Sequence, residues 1–97
     1  MKYRVVFAPE ALADYRGLPA YFRASVRDAI DSHLSHQPEK LSKSRIKRLR
    51  GMAQPQFRLR IGSIRVFYDV VDDEVHVLCI IEKARAGKWL EERGKKE

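Results

Sequence analysis

A chain of 97 residues with 44% hydrophobic and 34% charged residues has room for one folded domain and is too apolar to stay disordered. Twenty Lys and Arg against 13 Asp and Glu give a net charge of +7, which favours an anionic partner without naming one. No run approaches the ~18 apolar residues of a membrane span, no apolar leader follows Met1 and Lys2, and the single Cys79 makes neither an internal disulfide nor a metal-ligand pattern. The expectation is one cytoplasmic domain over 1–97, off the membrane, with no cofactor and no metal.

Tyr3 to Phe7 is β-branched and aromatic and predicts a strand. Pro9 and Glu10 then suit the first turn of a helix that stops near Gly17. Phe22, Val26, Ala29, Ile30, His33 and Leu34 recur at helical spacing, with Arg23, Arg27, Asp28 and Asp31 between them, so a second helix runs on and ends before Pro38. The short join at Gly17 to Pro19 makes the two a helical hairpin. After a polar, basic connection the period changes to two. Phe57, Leu59 and Ile61 alternate with Arg58 and Arg60, Gly62 and Ser63 turn the chain, and Ile64–Val71 and Val75–Ile81 read as buried strands reversed at Asp72–Glu74. The order βααβββ is an α+β layer: an N-terminal strand, a helical hairpin on one face, and a three-stranded antiparallel meander whose other face is open. The basic segment from Lys83 to Glu97, with Trp89 and Leu90 its large apolar residues, is expected to be a tail or short helix that docks weakly.

The charge is concentrated. From Lys40 to Arg65 there are nine basic residues (Lys40, Lys43, Arg45, Lys47, Arg48, Arg50, Arg58, Arg60 and Arg65) and no Asp or Glu. A surface that only keeps a protein soluble mixes both signs, so this segment reads as a directed positive field, with a solvated loop as the plainer alternative. Strand parity sends Arg58 and Arg60 away from the apolar triplet, which ordinary polar-face alternation also does. Arg65 stands in an otherwise apolar strand, where a cation is costly unless paired or used. Tyr68 packs or contributes equally well. The histidines His33, His36 and His76 form no ligand pattern and read as structural.

The βααβββ order, the LRG of Leu49 to Gly51, the run FRLRIGSIRVFYDVVDDEVHVLCI from Phe57 to Ile80 and the closing KARAGKW from Lys83 to Trp89 together resemble the RelE/ParE superfamily of toxins from type II toxin–antitoxin pairs. The resemblance covers nearly the whole chain, and its most specific stretch is the hairpin RLRIGSIRVFY. It implies a RelE-like fold and ribosome-dependent cleavage of mRNA, in which the RNA's 2′-hydroxyl attacks the adjacent phosphate without a metal. It also implies catalytic basic residues at positions matching Arg58, Arg60, Arg65 and Arg85, and an aromatic residue near the chain end, usually tyrosine. That last place is held here by Trp89, or by Leu90 under a one-residue shift. Indole stacks on a base but transfers no proton.

Guanidinium groups suit such a reaction because they offer paired donors to the charge that builds on phosphoryl oxygens. They are poor acids and bases, which leaves proton transfer to Lys47, Lys83 and Lys88 or to the ribosome. Lys43, Arg45, Lys47, Arg48, Arg50, Lys83, Lys88 and Trp89 are the candidate RNA contacts, with tail charge as the rival role for Arg85 and core anchoring for Trp89. The partners expected are the ribosome with its mRNA and a RelB-like cognate antitoxin whose disordered or helical acidic segment folds over the basic face or displaces the tail. The departure at the terminal tyrosine keeps open a ParE-like inhibitor of DNA gyrase that acts by binding, and an inactive nucleic-acid-binding relative.

Overall fold

Strand pairing organises the chain around its apolar runs. The computed structural model describes residues 2–97. In chain order these form β1 (Arg4–Phe7), α1 (Pro9–Gly17), α2 (Ala20–Ala29), β2 (Ile46–Arg48), β3 (Met52–Gln54), β4 (Phe57–Ile61), β5 (Ile64–Val71), β6 (Glu74–Glu82), α3 (Lys83–Arg93) and β7 (Lys95–Lys96). The main sheet has the order β1-β6-β5-β4-β2. β4, β5 and β6 make the expected antiparallel meander, and β1 joins β6 in parallel. The most apolar strands, β5 and β6, take the interior positions, where backbone donors and acceptors are paired on both sides.

One face of this sheet carries the helical hairpin. Val26, Ile30 and Leu34 fall four residues apart along α2 and the π-helical turn Ile30–Leu34 that continues it, and they pack with Leu59, Val66, Tyr68, Val75 and Val77 in one buried cluster. Tyr68 stacks on Phe57 and donates its hydroxyl to the Pro38 carbonyl at 2.6 Å, pinning the segment after α2 to the sheet. β1 pairs only with Glu74–Val77, so α1 lies along the rest of β6, where the Asp14 carboxylate accepts the Ile80 N–H at 3.1 Å.

The register of β5 against β6 slips between Phe67 and Tyr68, which pair with Cys79 and Val77 and leave Leu78 as the extra residue. A bulge of this kind reverses the facing of everything beyond it. Val75 and Val77 therefore point to the helical hairpin, as does Ile80, while Cys79 and Ile81 join Phe67 on the opposite face.

That opposite face differs from the sequence expectation of an open surface with a weakly docked tail. Lys83–Arg93 is a full helix, and its Ala86, Trp89 and Leu90 cover Phe67, Cys79 and Ile81. The Trp89 ring stacks on Phe67 at 5.4 Å and 6°, so three apolar residues on one helical stripe suffice to seat α3. The helix is tied at both ends, by Lys83 N–H to the Ser63 carbonyl at 2.8 Å and by pairing of β7 with β3. The basic connection also departs from expectation, because it holds the edge strand β2 and half of the β3–β7 ribbon.

A Cβ on Gly94 would collide with Met52 Cε and with the Leu90 carbonyl, so only glycine lets the tail turn back onto β3. Gly94→Ala is expected to remove hydrogen-exchange protection from Lys95 and Lys96 and to lower stability by about 1 kcal/mol in urea titration. Unchanged protection would show that the ribbon does not depend on that approach.

Candidate functional site

The arginines of the central hairpin are brought together by register. Gly62, with φ of 58°, occupies the first central position of a two-residue turn, the place where such hairpins require a residue tolerant of positive φ. The turn sets Ile61 against Ile64, Arg60 against Arg65 and Arg58 against Phe67. Directly opposed residues share a face, and the same rule places Lys47 of β2 opposite Arg58. Lys47, Arg58, Arg60 and Arg65 therefore lie on the face shared with α3, on the strands between that helix and the β2 edge.

Their environments differ. Arg65 is buried, at 6% exposure, and its Nη1 donates to the carbonyls of Gly62 at 2.8 Å and Ile64 at 3.1 Å. Arg58 is half-buried; its Nη2 donates to the Arg45 carbonyl at 3.4 Å, and its Nε is buried without a hydrogen-bond partner. Arg60 is exposed. Burial first, then the neighbouring Arg65 and Arg60, holds the Arg58 guanidinium below its ordinary pKa. The Arg65 guanidinium is lowered by burial and then by Arg60. Among the described residues the ion pairs are Arg4–Glu74, Arg48–Glu97, His76–Glu74 and Arg93–Glu10, and none includes a member of this row. The carboxylate on that side of β5, Asp69, instead accepts Gln56 N–H at 2.7 Å and Gln54 Nε2 at 2.8 Å.

The other basic residues scatter. Lys83 opens α3 beside the Gly62–Ser63 turn, one helical turn before Ala86 on the stripe that faces the sheet. Arg85 instead borders a depression with Asp14, Leu18, Pro19 and Ile80, by the outer edge of β6, and is not among the charges acting on Arg58 or Arg65. Arg48 lies over the Phe57 ring at 5.6 Å and donates to the carbonyls of Leu49 and Gln56, so its role is to close the segment ahead of β4. Arg45 donates to His33 Nε2 at 2.9 Å. Lys43, Arg50 and Lys88 are exposed, and Trp89 gives one ring face to Phe67.

Groups able to move a proton are few here. Burial, with the field of Glu39, raises the Tyr68 phenol well above its usual range. The Cys79 thiol is pushed up to about 12 by burial, then by Asp14, so it is no thiolate nucleophile. No cluster of three or more His, Cys, Asp or Glu able to hold a metal occurs among the described residues. Sequence reasoning missed the Arg45–His33 contact and the parts of Asp14 and Asp69, because each joins segments far apart in the chain.

A basic group whose pKa falls on folding disfavours the folded state wherever it is charged. The penalty from Arg58 and Arg65 therefore holds through neutral pH and is relieved only as pH rises through the depressed values. Removing one of the repelling charges should stabilise the protein. Arg60→Gln is expected to raise stability by a few tenths of a kcal/mol at low salt, an increment that fades as salt screens the row. A loss of stability in thermal melts would mean that Arg60 makes an attractive contact.

Comparison with known proteins agrees with this fold. The chain superposes on the toxin–antitoxin complex RelBE2 of Mycobacterium tuberculosis with a TM-score of 0.70 at 27% identity, covering 84% of this chain and 99% of the other. The RelE–RelB complex of Pyrococcus horikoshii gives 0.71 at 25% identity, with 88% and 99% covered. A mutant of the Escherichia coli toxin RelE in the free state gives 0.70 at 26% identity, with 95% and 94% covered. No curated protein matches the chain by sequence. The family model for the ParE toxin of the type II toxin–antitoxin system parDE matches residues 5–87, and with the arginine hairpin and the RelE-like sheet already in place, the chain belongs to the RelE/ParE superfamily of type II toxins.

Proposed function

We propose that this toxin is a ribosome-dependent endoribonuclease that cleaves mRNA through the RNA's own 2′-hydroxyl. The observation that carries the reading is the row Arg58, Arg60 and Arg65, three guanidinium groups on one rigid face without a carboxylate among their partners. A repelling row of this kind disfavours the empty fold and binds an anion well, as expected of a site built for a ligand rather than for stability. A phosphodiester supplies that anion.

In the reaction the 2′-oxygen forms a bond to the adjacent phosphorus as the bond to the 5′-oxygen breaks. A cyclic phosphate remains on one fragment and a 5′-hydroxyl on the other. Negative charge grows on the two non-bridging oxygens, and the fixed donors of Arg58 and Arg65 stabilise it without having to reorganise. Arg60, exposed at the rim, draws the backbone in. One proton must leave the 2′-hydroxyl and one must reach the leaving oxygen. Lys47 and Lys83 stand on two sides of the row, and the ribosome supplies whatever they do not. Trp89, half-buried against Phe67, keeps α3 in place as the wall of the site. The solved M. tuberculosis and P. horikoshii relatives are complexes with antitoxins, which supports a cognate antitoxin as the partner that neutralises this face.

Purified protein added to translating ribosomes should cut mRNA, read as primer-extension stops within codons. Arg65→Gln should lower the rate by about 100-fold or more while thermal melting shows a folded protein. Intact mRNA under these conditions defeats the proposal, and inhibition of gyrase supercoiling by the same preparation would transfer the protein to the gyrase-binding class.

A further inference from the structure

The segment that leads into β2 is held by few contacts. Between the buried Pro38 and Ile46, every residue of 39–45 is exposed, so apolar burial does not fix it and hydrogen bonds must. Most of these close the segment on itself. Ser42 N–H reaches the Ile46 carbonyl at 3.0 Å, and Ser42 Oγ accepts the N–H groups of Arg45 at 3.0 Å and Ile46 at 3.2 Å. Among the described residues, one side-chain hydrogen bond ties the segment back to the helical hairpin, from Arg45 Nη1 to His33 Nε2 at 2.9 Å. His33 offers that acceptor from the π-helical turn, whose Ile30 and Leu34 are buried in the core. One partner therefore stands on rigid ground and the other on a loosely held segment.

An imidazole accepts a hydrogen bond only while one ring nitrogen lacks a proton, and a guanidinium has donors and no acceptor. Nε2 of His33 is therefore bare in this contact. A proton there removes the acceptor and sets two cations against each other. The surroundings do not offset that repulsion. The concavity that His33 shares with Arg45 is lined also by Ser32, Gln37, Lys40, Ser42 and Ile46, which adds a cation and no carboxylate. Asp31, on the same turn, borders the groove of Val5 and Phe7 instead. Glu39 acts on the Tyr68 phenol, and His36 is exposed past the end of the turn. Burial first, then Arg45, holds the His33 pKa below its ordinary value. We infer that the His33–Arg45 contact is an acid-released latch: at neutral pH it fastens residues 39–45 to the helical hairpin, and protonation of His33 lets them go. The inference goes beyond the endoribonuclease reading and does not depend on it. Latched, Arg45 is occupied by His33; released, Lys40, Lys43 and Arg45 are three free cations on one mobile segment. The imidazole takes up a proton more readily with the latch open. Closure is therefore fully favoured above the ordinary imidazole value of about 6.5 and is lost as pH falls through the lowered one.

The test is NMR of the isotope-labelled full chain, with backbone order parameters for residues 41–45 and the His33 ring followed together from about pH 7.5 to about pH 5. In the wild type the order parameters should fall from about 0.85 to below about 0.6 as His33 titrates, with a midpoint below the ordinary imidazole value. His33→Gln keeps a neutral acceptor at every pH, so its segment should stay ordered throughout. His33→Leu has no acceptor and should be mobile already at neutral pH. Arg45→Ala removes the repelling cation, so the His33 midpoint should rise toward its ordinary value while the segment is mobile at both ends of the range. A wild-type segment whose order is the same across the range overturns the latch. An acid response in His33→Gln equal to that of the wild type does so too, because it assigns the change to His36, Glu39 or another group. A His33→Leu segment as ordered as the wild type at neutral pH shows that the contact fastens nothing.

Discussion

Everything this protein offers a ligand depends on keeping like charges close together on a surface that does not yield. Arg60 and Arg65 are direct cross-strand neighbours, an arrangement that opposes strand pairing. The hairpin holds them because its other face does the opposite: Leu59, Ile64, Val66 and Tyr68 on the same two strands are essentially removed from water, and each fully buried side chain of this size contributes about 1.5–3 kcal/mol. The apolar face therefore outweighs the repulsion on the polar one. A loop bearing the same arginines would splay until they separated, and the convergence of donors would be lost.

The tail helix completes the division of labour. Without α3, Phe67, Cys79 and Ile81 would be an apolar patch on the face that carries the cations. Covered by Ala86, Trp89 and Leu90, that half of the face becomes a dry wall, which raises the effective strength of charges beside it by limiting how water surrounds them. Trp89 thus works through packing. Where the resemblance led to an aromatic group at the chemistry, this chain has an indole stacked on a core phenylalanine.

Most of the fold was legible because its strands and helices carry clean periods. Alternation over Phe57–Ile61 and the Gly62–Ser63 turn were enough to place Arg58 and Arg60 on one face, and pairing added Arg65. What escaped was written in too few residues or in long-range contacts. β2 has three residues, of which only Ile46 is buried, so no period exists to detect. α3 turns just three apolar residues to the sheet, and their value is apparent only once the Leu78 bulge turns Cys79 and Ile81 toward them. The bulge itself is invisible in β6, whose run Val75–Ile81 is apolar at nearly every position.

The same reasoning explains why the basic residues do not act as one patch. Sequence proximity joined Arg45, Arg48 and Arg50 in a single run, yet alternation along β2 and the turn that follows send them to different duties. Arg48 falls in register with Phe57 on the helical side and is tied to backbone carbonyls, Arg50 reaches solvent from the turn, and Arg45 turns its guanidinium to His33 Nε2. Net charge sets how strongly an anionic strand is attracted from a distance. A cation that the sheet holds still, as it does Arg65, gives up less on meeting an anion, because a freely rotating lysine loses on ordering much of what its charge supplies.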